Sequence, residues 1–456
     1  MTDLVCISPV DGREYVRRRL ATDSEIESAL AEARRAQREW ALTPIAERCS
    51  IVLRFLAAME ALNAEIVTEI AWQMGRPVRY EGELRSLSER VPAMVDLAPV
   101  ALAPFEAVTG RSVVRSPAGL VLVIAPWNYP FLTAANAIVP ALLAGNAVLL
   151  KPSAQTLLTG ERFAEALGMA GLPDGLFANL FLSHAQAERL LGAGLVDHAT
   201  FTGSVEAGKA VERAAAGSFA TLTLELGGKD PAYVRADSDL AAAVEGLADG
   251  GFYNSGQSCC GVERIYVHEA VWRPFLDGLV EAVGRYRLGD PLDPETTLGP
   301  MATARGAAQV RRQVEEAVAA GAVAHLPAGG FPADSGDGPY LMPQVLTGVD
   351  HSMAVMGEET FGPVVGLMKV KDDDEAVRLM NNSAYGLTAS IWTRDLAAAE
   401  RLAERVEAGT VFANRCDYLD PMLAWTGVKN SGRGASLGRY GFDGVTRPKS
   451  LHLRSV

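Results

Sequence analysis

Apolar residues repeat at helical spacing over the first hundred positions of this chain, then gather into short unbroken runs separated by further helical stretches. Thr22-Asp23-Ser24-Glu25 is a helix-start signal, and Ile26, Leu30 and Ala33 follow at helical spacing. A helix is therefore predicted over residues 22–40. A second long helical stretch is predicted from Ile45 to Ala71. Residues 99–118 change character, with Pro99, Pro104 and Pro117 around short β-prone pieces and Gly110-Arg111 in the middle. That pattern predicts a hairpin standing off the first domain.

From Gly119 the pattern becomes strand, helix, strand, helix. Leu120-Val121-Leu122-Val123-Ile124 is apolar throughout, as a parallel strand covered on both faces must be. Helix follows over Ala134–Ala144, strand over Ala147–Leu150, and helix over Thr159–Met169. Phe177–Leu180 and His198–Phe201 are further strands. The alternation predicts a doubly wound α/β domain. A second alternating region spans about residues 228–430, with strands at Pro231–Val234, Arg264–Val267 and Val364–Met368. Residues 321–343 are rich in Gly, Pro, Ala and Asp and read as a surface loop.

Length and charge narrow the class. A chain of 456 residues exceeds a single core and predicts two or more domains. Apolar residues make up 49% and charged residues 21%, so a large core is expected and disorder is not. A net charge of −13 argues against nucleic acid or an anionic membrane as the main partner. An anionic cofactor remains compatible, because backbone N–H groups hold phosphates. No signal peptide is apparent, and Pro126, Pro130 and Pro140 interrupt the longest apolar region. The five cysteines are sparse and odd in number, which predicts a reduced, cytoplasmic protein. They form no CxxC or Cys/His cluster, so no metal site is expected.

Candidate chemistry centres on Asn254-Ser255-Gly256-Gln257-Ser258-Cys259-Cys260 and on Leu224-Glu225-Leu226-Gly227-Gly228-Lys229. A thiolate is the strongest side-chain nucleophile near neutral pH. A carboxylate among apolar neighbours has a raised pKa and moves protons. The pair suggests a thioester ended by water that Glu225 activates; the plainer reading makes the cysteines small core hydrophobes. Asn128 follows a strand in a sharp Pro-flanked turn, placed either to stabilise an oxyanion or simply to make the turn. Lys151 ends a strand, where open α/β sheets bind ligands, or is solvated before Pro152. Gly203-Ser204-Val205-Glu206-Ala207-Gly208-Lys209-Ala210 approaches a P-loop but lacks the metal-binding hydroxyl, so pyrophosphate contact is favoured over NTP hydrolysis. Glu359 and Phe361 suit a ribose diol and a flat ring, or a capped loop. The six histidines share no motif, which leaves a Cys–His hydrolase without an evident base.

Taken in order, Pro126-Trp127-Asn128, Lys151-Pro152-Ser153, Phe201-Thr202-Gly203-Ser204, Glu225 to Lys229, Gly256 to Cys259, Glu359 to Pro363 and Ser431-Gly432 resemble the NAD(P)-dependent aldehyde dehydrogenase superfamily from about residue 8 onward. The resemblance implies an α/β fold with two doubly wound α/β domains and a β oligomerisation arm. The cofactor domain would be 1–98 and 118–227, the catalytic domain 228–430, the arm 99–117 and 448–456, and 431–447 would return to the cofactor domain. It implies Cys259 as nucleophile, Asn128 and the Cys259 N–H at the oxyanion, and Glu225 as the base for water. Cofactor contacts would fall on Ala125, Pro126, Trp127, Lys151, Ser153, Ala154, Gly203, Ser204, Leu226, Gly227, Glu359 and Phe361. Ala154 stands where NAD-preferring members often carry Glu, so NADP is expected to be tolerated beside NAD. Arg439 is matched to a position where members often carry a carboxylate behind the base. Tyr129, Thr133, Asn136, Tyr253, Ser258, Cys260, Leu419 and Trp425 would line the substrate tunnel. No arginine stands among them, which favours an uncharged aromatic or aliphatic aldehyde over a semialdehyde. Glu225 argues against a CoA-acylating member, and the Cys–Glu–Asn set against a non-catalytic protein on this fold. The expected partners are a small-molecule aldehyde and a second or further copies of the chain, as a homodimer or homotetramer.

Overall fold

The computed structural model describes residues 3–454. Its first helix is Asp23–Trp40, opened by a capping box in which Thr22 and Glu25 satisfy each other's backbone N–H. The long stretch from Ile45 divides at Leu62 into helices Ile45–Ala61 and Asn63–Met74. Helix Leu84–Ala101 runs through Pro92 and Pro99, so the β arm begins later than its prolines suggest.

Two sheets carry the fold. In the first, Leu120–Ile124 pairs in parallel with Ala147–Lys151 on one side and His198–Thr202 on the other. Phe177–Asn179 extends it beyond Ala147–Lys151, and Thr221–Glu225 beyond His198–Thr202. Chain order therefore reverses at the central strand, which makes a topological switch point. The five residues of Leu120–Ile124 and of Ala147–Lys151 are all buried, which explains their lack of alternation. Gly432–Arg433 closes the far edge antiparallel to Leu224 and Glu225.

Among the described residues the second sheet has seven strands, with Val323–Ala324 at one edge antiparallel to Gln344–Thr347. Asp230–Val234 lies between Val262–His268 and Thr388–Trp392. Val364–Val370 and Gln344–Thr347 continue it on one side and Thr410–Ala413 on the other. A third, separate sheet joins Phe105–Val108, Arg111–Pro117 and Thr446–His452. The last two residues of the expected arm, 455 and 456, lie outside the described residues. Among the described residues, no helix is long and apolar enough to cross a membrane.

Candidate active site

The residues that end four parallel strands of the first sheet, Ile124, Lys151, Thr202 and Glu225, all line one cavity of about 870 Å³. Ligands sit outside the carboxyl ends of such strands, beside the switch point. Ala125, Pro126, Trp127, Ser153, Ala154, Gly203, Ser204, Leu226, Gly227, Glu359 and Phe361 line the same cavity, together with Asn128 and Cys259. The structure thus brings the expected catalytic and cofactor positions onto one surface, although they span more than two hundred residues of chain.

The cavity's donors suit a dinucleotide. Lys151 is buried, its ammonium group has no hydrogen-bond partner among the described residues, and burial depresses its pKa. An anionic oxygen would satisfy its ammonium group. Ser204 caps helix Val205–Ala215, whose first turn presents backbone N–H groups. Glu359 accepts from the Gly228 N–H at 3.0 Å, and a Cβ on Gly227 would collide with its carboxylate. Burial, then the nearby Glu263, raises the Glu359 carboxyl to about 7. Phe361 meets Trp127 edge-on at 5.5 Å between ring centroids. Its loop is pinned by Glu263, which accepts from the N–H groups of Thr360 (2.8 Å) and Phe361 (2.9 Å) and pairs with buried Lys229.

The thiol is presented by a turn. Asn254, Ser255 and Gly256 all have positive φ (53°, 56° and 68°), and a Cβ on Gly256 would strike the Gly362 carbonyl. Hydrogen bonds hold this uncommon backbone in place. Ser255 Oγ donates to the Gly299 carbonyl at 2.7 Å, and Gln257 Oε1 accepts from the Ala302 N–H at 2.8 Å. Asn128 is tied to the same turn, its Nδ2 donating to the Gln257 carbonyl at 3.2 Å.

Cys259 is half-buried at the cavity, whereas Cys260 is buried and donates to Asp417 Oδ1 at 3.0 Å. A hydrogen bond with Cys259, then burial and the Asp417 charge, push the Cys260 thiol well up. A thiol held protonated is a poor nucleophile.

Glu225 ends its strand in the cavity wall. Burial raises its carboxyl, while Ser436 and Thr202 lower it by donating hydroxyls. Ser436 Oγ donates to Glu225 Oε1 and Thr202 Oγ1 to Oε2, the latter at 3.3 Å. Arg439, expected behind the base, is exposed and lies over Tyr440 instead. Pairing of Gly432–Arg433 with Glu225 and Leu224 delivers Ser436 to that position.

The eight expected tunnel residues lie off the large cavity. Tyr129 faces Arg76 at 4.6 Å, and Tyr253 meets Tyr80 edge-on at 4.7 Å. Thr133 Oγ1 donates to the Tyr129 carbonyl, and Asn136 meets Arg90. Ser258 Oγ donates to Asp417 at 2.6 Å, beside Cys260. Leu419 and Trp425 pack into the core cluster that holds Cys260.

Sequence reasoning missed Arg76, Glu83, Arg90, Asp417 and Ser436. Arg76 is buried and joins Glu83 (2.8 Å), Asn254 Oδ1 (3.1 Å) and the Asn128 carbonyl. Glu83 accepts from the N–H groups of Phe131 (3.1 Å) and Leu132 (2.7 Å), at the N-terminus of helix Pro130–Leu143. This buried pair fixes the Asn128 turn against the thiol turn. Among the described residues, no group of His, Cys, Asp and Glu is arranged to hold a metal.

The family model described as "Aldehyde dehydrogenase family" matches residues 2–451. A succinate-semialdehyde dehydrogenase [NADP(+)] of Mycobacterium tuberculosis (strain ATCC 25618 / H37Rv) is 34% identical, over 96% of this chain and 97% of that one. Betaine aldehyde dehydrogenase 2 of Rhizobium meliloti (strain 1021) is 35% identical, over 99% and 94%. The solved structure of a succinic semialdehyde dehydrogenase from Streptococcus pyogenes with NADP+ superposes with a TM-score of 0.94 at 26% identity, covering 99% of this chain and 100% of that one.

Proposed function

This chain belongs to the aldehyde dehydrogenase family, and from that premise we propose that it oxidises an aldehyde to a carboxylic acid through a thioester on Cys259. The single observation that carries the reading is the meeting of Cys259, Asn128 and Glu225 on the cavity whose remaining wall suits a dinucleotide. Cys259 Sγ attacks the aldehyde carbon. The Asn128 amide and the Cys259 N–H stabilise the oxyanion. NAD or NADP, when bound, accepts the hydride that the reaction releases. Glu225 takes a proton from water, and that water releases the acid and frees the thiol. Ser436 and Thr202 hold the base and, by donating to its carboxylate, oppose the upward shift that burial imposes.

Lys151, Ser153 and Ser204 would hold phosphate and ribose oxygens, Glu359 the ribose diol, and Phe361 and Trp127 the flat ring. Ala154 in the cavity wall leaves room for a 2′-phosphate. The first sheet serves as cofactor domain, the second as catalytic domain. The separate three-stranded sheet serves as oligomerisation arm, since it exposes Phe105 and Val108, with exposed Leu453 just beyond its last strand. The free cysteines fit a cytoplasmic setting.

For the substrate, the arginine-free set of eight tunnel positions favours an uncharged aldehyde. A second reading, the semialdehyde, is favoured by Arg90 against Asn136. A panel of aromatic, aliphatic and carboxylated aldehydes, assayed by absorbance of reduced cofactor with NAD and with NADP, tests the function. Turnover with at least one aldehyde is expected; none with either cofactor contradicts it.

A further inference from the structure

Behind the cavity wall, two carboxylates meet around one buried lysine. Lys229 pairs with Glu263 and donates to Thr360 Oγ1 at 2.8 Å. Glu263 is buried on strand Val262–His268 and reaches across to the loop that lines the cavity. Its Oε1 accepts from the Phe361 N–H at 2.9 Å and its Oε2 from the Thr360 N–H at 2.8 Å. Those are the two residues that follow Glu359. Among the described residues, the Gly228 N–H is the one hydrogen-bond donor to the Glu359 carboxylate, and Gly228 immediately precedes Lys229. Both carboxylates therefore bear on the dipeptide Gly228-Lys229, and its ammonium group is taken up by Glu263.

No other group nearby balances Glu359. Arg264, the next buried cation, gives its guanidinium to the carbonyls of Lys229 (2.8 Å) and Met380 (3.0 Å) and to Tyr266 Oη (3.1 Å). Asp230 is buried and acidic, and it accepts from the Thr388 N–H at 3.0 Å. Tyr385 and Glu358 stand close by and bring no positive charge. Burial and then Glu263 push the Glu359 carboxyl up, while the Gly228 N–H and, less strongly, Lys229 oppose them. A carboxylate without its own counter-ion holds its proton to higher pH.

We propose that Glu263 is a positioning residue for the cofactor: with Lys229 it fixes the loop that carries Glu359 and Phe361, and by its charge it makes the hold of Glu359 on the ribose diol loosen as pH falls. The inference rests on the reading of Glu359 as the ribose ligand. Glu263 lies behind the loop and acts only through it. The sign follows from the hydrogen bonds. An ionised carboxylate accepts from both diol hydroxyls, whereas a protonated one keeps a donor where an acceptor is needed. Affinity is therefore full above the Glu359 value of about 7 and declines as pH falls through it.

The test is the dissociation constant of NADH, followed by its fluorescence across neutral pH at fixed ionic strength. NADH is chosen because it lacks the 2′-phosphate, which would titrate in the same range. Wild-type binding is expected to weaken on the order of tenfold between pH 8 and pH 6, as the ionised fraction of Glu359 falls. His184, Glu225 and Cys259 also line the cavity, so Glu359→Gln is the control for them and should bind with little pH dependence. Glu263→Gln should move the decline to lower pH. The double variant Lys229→Met with Glu263→Gln leaves no unpaired buried charge and should move it the same way, because Glu263 acts on Glu359 more strongly than Lys229 does. A purely structural role would change affinity equally at every pH and leave the midpoint in place. Wild-type affinity that is flat across this range, or a decline that survives in Glu359→Gln, overturns the proposal. So does a midpoint unmoved in the Glu263 variants, with folding checked by thermal unfolding. Absence of NADH binding at any pH instead removes the reading of the cavity as a cofactor site, a result distinguishable from loss of pH dependence alone.

Discussion

Cys259 and Cys260 adjoin in the chain and face different surroundings. Cys259 borders the cavity; Cys260 is buried against Asp417. Cys259→Ala is expected to abolish aldehyde oxidation and Cys260→Ala to retain most of it, by steady-state assay. The reverse order would move the nucleophile. Asn128→Ala should slow turnover roughly 10²–10³-fold, the usual loss for one oxyanion donor. Its fold should persist, because Arg76 and Asn254 bond the Asn128 backbone carbonyl, which alanine keeps. Unchanged kcat would remove Asn128 from the reaction. Glu225 supplies a pH prediction. Water activation needs the carboxylate, so deacylation falls as pH drops through a pKa that burial holds above the usual carboxylate range. Ser436→Ala removes a donor that lowers that pKa, so the acidic limb should move to higher pH, with the rate recovered in alkali. A limb that stays put would leave Ser436 without influence on the base.

Elements differ in how plainly the chain announces them. The Thr22–Glu25 capping box was legible because both partners lie within one turn. The central strands were legible because burial on both faces demands an unbroken apolar run. The division at Leu62 was hidden, since helical periodicity continues on both sides of it. Pro99 misled, because helix Leu84–Ala101 continues through it and the hairpin strands start only at Phe105. The motif residues of the cavity were legible because each sits at a strand end or a Gly turn. Ser436 was not, because its neighbourhood depends on a two-residue strand pairing with a partner some two hundred positions earlier. Arg90 belongs to no motif singled out from the sequence; its helix packs against Pro130–Leu143 and Ile45–Ala61, and the residue is buried. One prediction belongs to the loop after Ala147–Lys151. Ala154→Glu should shift preference from NADP toward NAD, since a carboxylate within a few Å repels a 2′-phosphate. About 1.4 kcal/mol of such repulsion gives a tenfold change in the ratio of dissociation constants. Equal ratios for both proteins at one salt concentration would take residue 154 away from the ribose.

At the scale of the whole molecule, the proposed division of work is between the arm and the two sheets. The Arg111–Pro117 strand pairs with Thr446–His452 along its full length, so chain end and hairpin stabilise each other. A two-stranded hairpin alone is marginal in water. Ending the chain at Val445 is therefore expected to yield smaller species by size exclusion with light scattering; an unchanged assembly would assign contact to another face. The sheets meet where Cys259 from one side and Glu225 from the other share the cavity, and the central claim is that they act in sequence through a covalent acyl-enzyme. That claim is tested most directly by mixing Glu225→Gln with aldehyde and NADP in a stopped-flow cell and then weighing the intact protein. The account predicts a burst of about one reduced cofactor per active subunit, then a stall, with the acyl mass on Cys259. Absence of both burst and acyl adduct, with cofactor still bound, would contradict it.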